Sequence, residues 1–432
     1  DIKAHIFYHD IGDYLSREDK LNIIRNMGNI GNPQMQWTHI EPNKHGDWLN
    51  KRSELFNLFT PLGNKDDKKD KKTFFVPYYS NGLKTQRDSW CYNSSLAVVK
   101  EKAVEQIDFY NEQCRLLSQG EIAEVDYSTA RISWTRAVLA DAHKCRLYNV
   151  ESCQYVESIY RPFFKQHLLF YKPLNEMVYQ IPKLFPTPQH KNLVICVSGI
   201  GASKDFSALM TDLIPCLDMV EKSQCFPLYW YDDSTSDIAD LFTQGVRDDK
   251  ADMDRWVRRD GGTDWILSTA RKQYGSKVTK EDIFYYVYGI LHSPDYRAAF
   301  SADLKKSLPR LPLVEAADDF WTFSKAGRDL ASLHLNYETV EPYAGCRIVF
   351  SPLTDRGGSM NYRVEKMRFG KKDSKTVDKG VIYYNSGITI ENIPLEAYDY
   401  VVNGKSAIEW IMERYAVTVN KDSGISLSLI HI

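Results

Sequence analysis

Residues 65 to 72 read Lys-Asp-Asp-Lys-Lys-Asp-Lys-Lys, five positive and three negative side chains with nothing apolar to bury. Such a run cannot enter a core, so it predicts a solvated loop that divides the chain into a short leading region and a longer trailing one. With 432 residues there is ample length for a buried core on both sides of the cut. No apolar run reaches the 18 or more residues of a membrane span, which excludes membrane insertion by a helix.

Lys plus Arg number 55 against 57 for Asp plus Glu, so no global positive field draws nucleic acid and any such site must be a local patch. The eight cysteines (91, 114, 145, 153, 196, 216, 225 and 346) contain no C-x-x-C pair, which argues for reduced intracellular thiols over a disulfide framework or a zinc knuckle. The chain begins at Asp1 without a signal-like segment and reads as an excised fragment.

Local patterns alternate between strand and helix. Residues 4 to 9 read as a strand, and Ser16-Arg17-Glu18-Asp19 forms a capping box ahead of Leu21, Ile23 and Ile24. Val99, Ala103, Ile107, Tyr110 and Leu117 keep helical spacing, residues 130 to 145 read as another helix, and 181 to 188 form a proline-rich break. Leu193 to Val197 is an apolar run of strand length, as expected for a strand buried on both faces. Thr279-Lys280-Glu281-Asp282 is a second capping box; residues 381 to 384 suggest a strand and 407 to 415 a helix.

Motifs for independent chemistry fall short. Gly199-Ile200-Gly201-Ala202-Ser203-Lys204 follows a strand, but Lys204 replaces the third glycine of the dinucleotide fingerprint. Gly404-Lys405-Ser406 resembles the end of a phosphate loop, yet Asp399 would repel phosphate. Glu18-Asp19-Lys20 offers the E-x-K of a nuclease but sits in the first turn of a capped helix, where acids suit the dipole. His5 and His9 lack further metal ligands nearby, Asn32-Pro33-Gln34-Met35 lacks the stacking aromatic of a methyltransferase tetrapeptide, and no G-x-S-x-G occurs.

Three patches mix cations with aromatic or hydrogen-bonding side chains, the combination that neutralises phosphates and probes bases. They are Gly82 to Trp90, Tyr160 to His167, and Asn361 to Gly380, the last with seven Lys or Arg against three acids. Residues 231 to 260 hold nine aspartates against five Lys or Arg and are expected to face away from DNA or toward another domain.

Several strings in shared order over nearly the whole chain resemble the C-terminal part of Type ISP restriction-modification enzymes. They include His9-Asp10-Ile11-Gly12-Asp13-Tyr14, His45-Gly46-Asp47-Trp48, Tyr160-Arg161-Pro162-Phe163, Val197-Ser198-Gly199-Ile200-Gly201, Gln224 to Tyr231, Tyr285 to Pro294 and Tyr398 to Trp410. The resemblance implies that residues 1–72 close an adenine-N6 methyltransferase domain and 73–432 form the specificity domain. The fold expected is α/β: a remnant of a Rossmann-like methyltransferase sheet, then a larger mixed α/β target-recognition domain with spacer helices.

The implied function is recognition of a double-stranded DNA site, positioning an adenine for methylation and licensing ATP-driven translocation and cleavage by upstream methyltransferase, helicase-like ATPase and nuclease domains of a bacterial, cytoplasmic enzyme. S-adenosylmethionine, ATP and Mg2+ would belong to that parent enzyme; this stretch itself is expected to hold no cofactor and to be non-catalytic. The DNA-contact candidates are Lys84, Arg87, Arg161, Lys165, Arg363, Lys366, Arg368, Lys371 and Lys372, with Thr85 and Gln86 as readers of base edges. Alternative readings are a coupling scaffold without base contacts, or part of a methyltransferase active site. Leu427 to Ile432 departs from the expected continuation and reads as a foreign tail.

Overall fold

The computed structural model describes residues 4–12, 15–49, 51–64, 66–67, 69–76, 79–234, 255–351, 362–364, 366–373 and 376–427. Contacts divide the chain into two units, 1–58 and 59–432; the family-derived expectation had placed its boundary at 72.

The first unit is a helix, Arg17–Met27, between two short strands, Ile6–Tyr8 and Thr38–Ile40, which pair antiparallel. The expected capping box is formed: the Ser16 hydroxyl accepts from the Asp19 N–H, and the Asp19 carboxylate accepts from the Ser16 N–H. The helix buries none of its residues. Among the described residues of this unit only Ile40, Asp47 and Phe56 are buried, and Asp47 is held by the Arg52 guanidinium at 2.9 Å. Phe7, Ile24, Ile30, Trp37 and Trp48 stay exposed.

The second unit is mixed α/β and carries the main core. One sheet runs Ile214–Pro215, Gln154–Arg161, Phe164–Phe170, Tyr92–Asn93, with the middle two strands forming a long antiparallel hairpin. A second runs Ser80–Asn81, Gln224–Pro227, Val194–Val197, Ala208–Thr211. Val194–Val197 is buried at every position because strands flank it on both edges and the core covers its faces. The helix Leu96–Gln119 lays Val99, Ala103, Ile107 and Tyr110 into the same core as Leu168 and Leu169. The expected helix at 130–145 is Arg136–His143, and the proline-rich break opens with one short helical turn, Ile181–Leu184.

The second capping box starts the helix Lys280–Leu291, which packs along Ala317–Leu335. Their contact depends on two glycines. A methyl group on Gly289 would lie 2.3 Å from the Phe323 carbonyl oxygen, and one on Gly327 would lie 2.0 Å from that of Tyr285. No side chain fits between backbones that close.

A late four-stranded sheet, in the order Arg347–Phe350, Ile388–Glu391, Val377–Tyr383, Arg368–Lys371, has a small core of its own. Val364, Met367, Ile382 and Ile393 form it, and Ile408, Ile411 and Met412 pack onto it. The last three belong to the helix Ala407–Arg414, which a further capping box of Ser406 and Glu409 begins. No helix among the described residues is long and apolar enough to cross a membrane.

Candidate nucleic-acid interface

The first two patches are fastened together by Asp88. One carboxylate oxygen accepts the Thr85 hydroxyl; the other accepts the Tyr160 hydroxyl at 3.0 Å and lies 3.6 Å from the Arg161 guanidinium. Arg161 also donates to the Tyr160 carbonyl at 2.8 Å and lies 3.9 Å above the Tyr160 ring. Burial opposes its charge, but Cys216, Tyr160 and Asp88 hold the guanidinium above its ordinary range. This clasp fixes the 82–90 loop to the long hairpin.

The clasp turns several candidates inward. Thr85 and Arg87 are 1% and 3% exposed, so neither presents itself to a duplex in this conformation. Arg87 donates to the Thr135 hydroxyl at 3.0 Å, its Nε and Nη1 have no partner among the described residues, and burial lowers its pKa. The hairpin turn is likewise tucked in: Phe163 adopts a left-handed conformation and is buried against His334 and Tyr337. Lys165 is tied to Glu338 at 2.8 Å, and Lys84 is half-buried. Gln86 alone of these is exposed, at the loop tip with φ of 58°.

The third patch lies open. Arg363, Lys366, Arg368, Lys371 and Lys372 are all exposed, and Lys366, Arg368, Lys371 and Lys372 form no ion pair with a described residue. Cross-strand register puts Arg368 opposite Tyr383, Tyr383 opposite Thr389, and Thr389 opposite Val349. Residues directly opposed share a face. One face of the late sheet therefore carries a cation, a 48%-exposed tyrosine and a hydroxyl, while Ile382 and Ile390 turn to the other side. Glu365 and Lys375 lie outside the described residues.

Sequence reasoning missed part of a further hairpin, Tyr229–Asp233 with Trp256–Asp260. Arg259 is opposite Trp230, and the Arg258 guanidinium lies 4.4 Å over the Tyr229 ring. Both arginines are exposed. The adjacent Arg258-Arg259 pair was a usable signal, hidden by counting it within an acidic window whose residues 235–254 lie outside the described ones.

The rejected phosphate loops have definite local uses. Ser203 and Lys204 aim their backbone N–H groups at the chain's own Glu221 carboxylate, at 2.9 and 3.1 Å, and the Ser203 hydroxyl adds a third donor at 3.0 Å. Although burial works the other way, these donors hold the Glu221 carboxyl below its ordinary range. Asn403 and Gly404, with φ of 52° and 84°, make the tight turn between Val401–Val402 and Lys405–Ser406. Asp19 in the E-x-K segment is engaged in its capping box. His9 bonds through Nδ1 to the Gln36 carbonyl at 3.1 Å, and the His5 ring lies 5.7 Å from that of His39, tilted by 37°. Among the described residues no group of three His, Cys, Asp or Glu side chains is arranged to hold a metal ion.

No curated protein sequence matches the chain. Solved structures do. A nuclease-deletion mutant of the Type ISP restriction-modification enzyme LlaGI in complex with a DNA substrate mimic is 32% identical, with a TM-score of 0.78 over 98% of this chain and 36% of that one. The ATP-dependent Type ISP enzyme LlaBIII bound to DNA is 31% identical, with a TM-score of 0.81 over 99% of this chain and 26% of that one. A DrdV–DNA complex is 30% identical, with a TM-score of 0.78 over 98% of this chain and 39% of that one. The chain thus spans between a quarter and two fifths of the length of these structures. The family match covers residues 74–431 and so includes most of the tail that had read as foreign. This chain belongs to the Type ISP C-terminal specificity domain family.

Proposed function

We propose that this chain recognises a specific double-stranded DNA site on behalf of a Type ISP restriction-modification enzyme, holding the site so that the methyltransferase can reach a target adenine. The observation that carries the reading is similarity over almost the whole chain to three structures described as DNA complexes. In support, the late sheet sets exposed Arg368 opposite Tyr383, with Lys366, Lys371 and Lys372 close in sequence, none of the four ion-paired with a described residue; phosphate neutralisers near a ring favour nucleic acid. Gln86 is the exposed amide available to base edges near the clasp.

Methylation, translocation and cleavage belong in this proposal to upstream domains of the same protein, with S-adenosylmethionine, ATP and Mg2+ bound there. The uncovered Phe7, Trp37 and Trp48 of the first unit favour its docking against the rest of a methyltransferase fold, since monomeric soluble proteins rarely leave large apolar clusters open.

The decisive experiment compares adenine methylation across the source genome with that of a strain lacking this gene, then titrates the chain with a duplex carrying the lost motif and with a scrambled one. A motif that vanishes with the gene and is bound more tightly than its scramble supports the reading. Equal affinity for both duplexes overturns it.

A further inference from the structure

At the C-terminal end of the helix Lys280–Leu291, the chain leaves a cavity of about 630 Å3 between the short helix Pro294–Ala299 and the turn at Gly404. That volume is in the range that accommodates small ligands. Phe206, His292 and Tyr400 give it an aromatic wall, and Arg297 and Lys305 supply cations.

Arg297 is the unusual member. Its Nε donates to the Leu291 carbonyl at 2.6 Å and its guanidinium lies 5.7 Å from the Phe206 ring, but among the described residues it makes no ion pair and its enclosed Nη2 has no hydrogen-bond partner. A largely buried cation without a counter-charge is costly, so this arrangement favours an anion.

The neighbours do not supply one. His292 donates from Nδ1 to the Tyr288 carbonyl at 2.9 Å, because a carbonyl only accepts, and its Nε2 lies 3.3 Å from the Tyr400 hydroxyl. Burial and the neighbouring Arg297 push its pKa down to about 3, so it is neutral and adds no negative charge. Two carboxylates do line the cavity, but Asp205 is ion-paired with Lys305 at 2.9 Å, and Asp399, expected from the sequence to repel phosphate at Gly404, is exposed, so water and salt screen its charge from the enclosed Arg297. The Lys204 side chain runs beside Gly404, one of the lining residues, which brings a second cation near the cavity.

We propose that this cavity binds a nucleotide, its phosphate on Arg297 with Lys204 nearby and its flat ring on the aromatic wall. The phosphate and ring could come from a free nucleotide or from an unstacked unit of a DNA strand. Neither source requires the sequence-reading role proposed above.

Calorimetric titration of the complete chain with adenosine 5′-monophosphate and with inorganic phosphate tests the first source, and a short single-stranded oligonucleotide tests the second. Arg297→Gln should weaken at least one of these by about tenfold or more, the loss expected for a charge-assisted hydrogen bond. Ser301→Trp fills the cavity from its wall while leaving Arg297 in place, and should do the same. Loss of mononucleotide binding identifies a free ligand; loss confined to the oligonucleotide identifies a strand. If Arg297→Gln does not fold, Ser301→Trp decides alone. Binding of all three probes that is absent, or unchanged by the variant that folds, overturns the proposal.

Discussion

Tyr160–Gln166 and Arg363–Lys372 both place cations near aromatic residues, three rings in the first and Phe369 in the second, yet they meet opposite fates. In the first, Arg161 is held by Asp88 and Tyr160, Lys165 by Glu338, and the turn is buried through Phe163. In the second, Lys366, Arg368, Lys371 and Lys372 project from an edge strand and the hairpin beyond it. The difference comes from the partners that tertiary structure brings. Asp88 is 72 residues from Tyr160 in sequence; on the late sheet Glu409 reaches Lys379 at 3.0 Å, but no described carboxylate reaches Lys366, Arg368, Lys371 or Lys372. A cation that already has a carboxylate stabilises the fold; one without is available to a phosphate.

Charge reversal of the late sheet probes this contrast most severely. Lys366→Glu, Arg368→Glu and Lys371→Glu together should weaken duplex binding at least a hundredfold and reduce the slope of log affinity against log salt by about three, near one per phosphate contact. Stability should stay within about 0.5 kcal/mol per site, as for exposed positions. Fluorescence anisotropy across a salt series, alongside denaturant melts, measures both; an unaltered salt slope would erase the distinction.

Asp88→Ala should show the reverse pattern. It strands the Arg161 guanidinium and two hydroxyls, costing about 2 kcal/mol of stability, while the salt slope of DNA binding stays as it was. Urea titration gives the first quantity and anisotropy the second.

Acid should separate the two regions again. His292 and His334 are held neutral by burial, with pKa values lowered to about 3 and about 4 from the usual 6.5. Below pH 6.5 the unfolded chain takes up protons that the folded one refuses. Stability present above that pH is therefore lost as pH falls toward 4, by up to about 1.4 kcal/mol per pH unit for each histidine. Denaturation midpoints at pH 7, 6 and 5 should follow this slope, and it should diminish in a His334→Gln variant. DNA affinity, corrected for the folded fraction, should not track it.

The smallest effect is expected at the loop tip. Gln86→Ala should leave stability unchanged within a few tenths of a kcal/mol and relax base preference at one position by about 1 kcal/mol, read by competition among duplexes differing in one base pair.

Local order was legible in sequence where the forces are local. The capping boxes at Ser16 and Thr279 start helices where expected, since donor and acceptor are three residues apart. The run at 194–197 is a doubly buried strand because only apolar residues occupy it. The candidate site was less legible. Composition identified all three patches, but orientation depends on distant partners: Thr135 for Arg87, Glu338 for Lys165, Cys216 for Arg161. The Arg297 cavity was invisible for the same reason, since Phe206, Arg297 and Tyr400 come from three separated stretches.

The bare crossing at Gly289 and Gly327 has a reach beyond its own packing. His292 follows one of the paired helices and His334 ends the other; their rings lie 5.6 Å apart, and Tyr400 stacks on both. Any methyl group that pried the helices apart at the crossing would pull on both imidazoles at once, and through Tyr400 on the turn that walls the cavity. Spacing between two backbones thus acts as the gauge to which a distant pocket is cut.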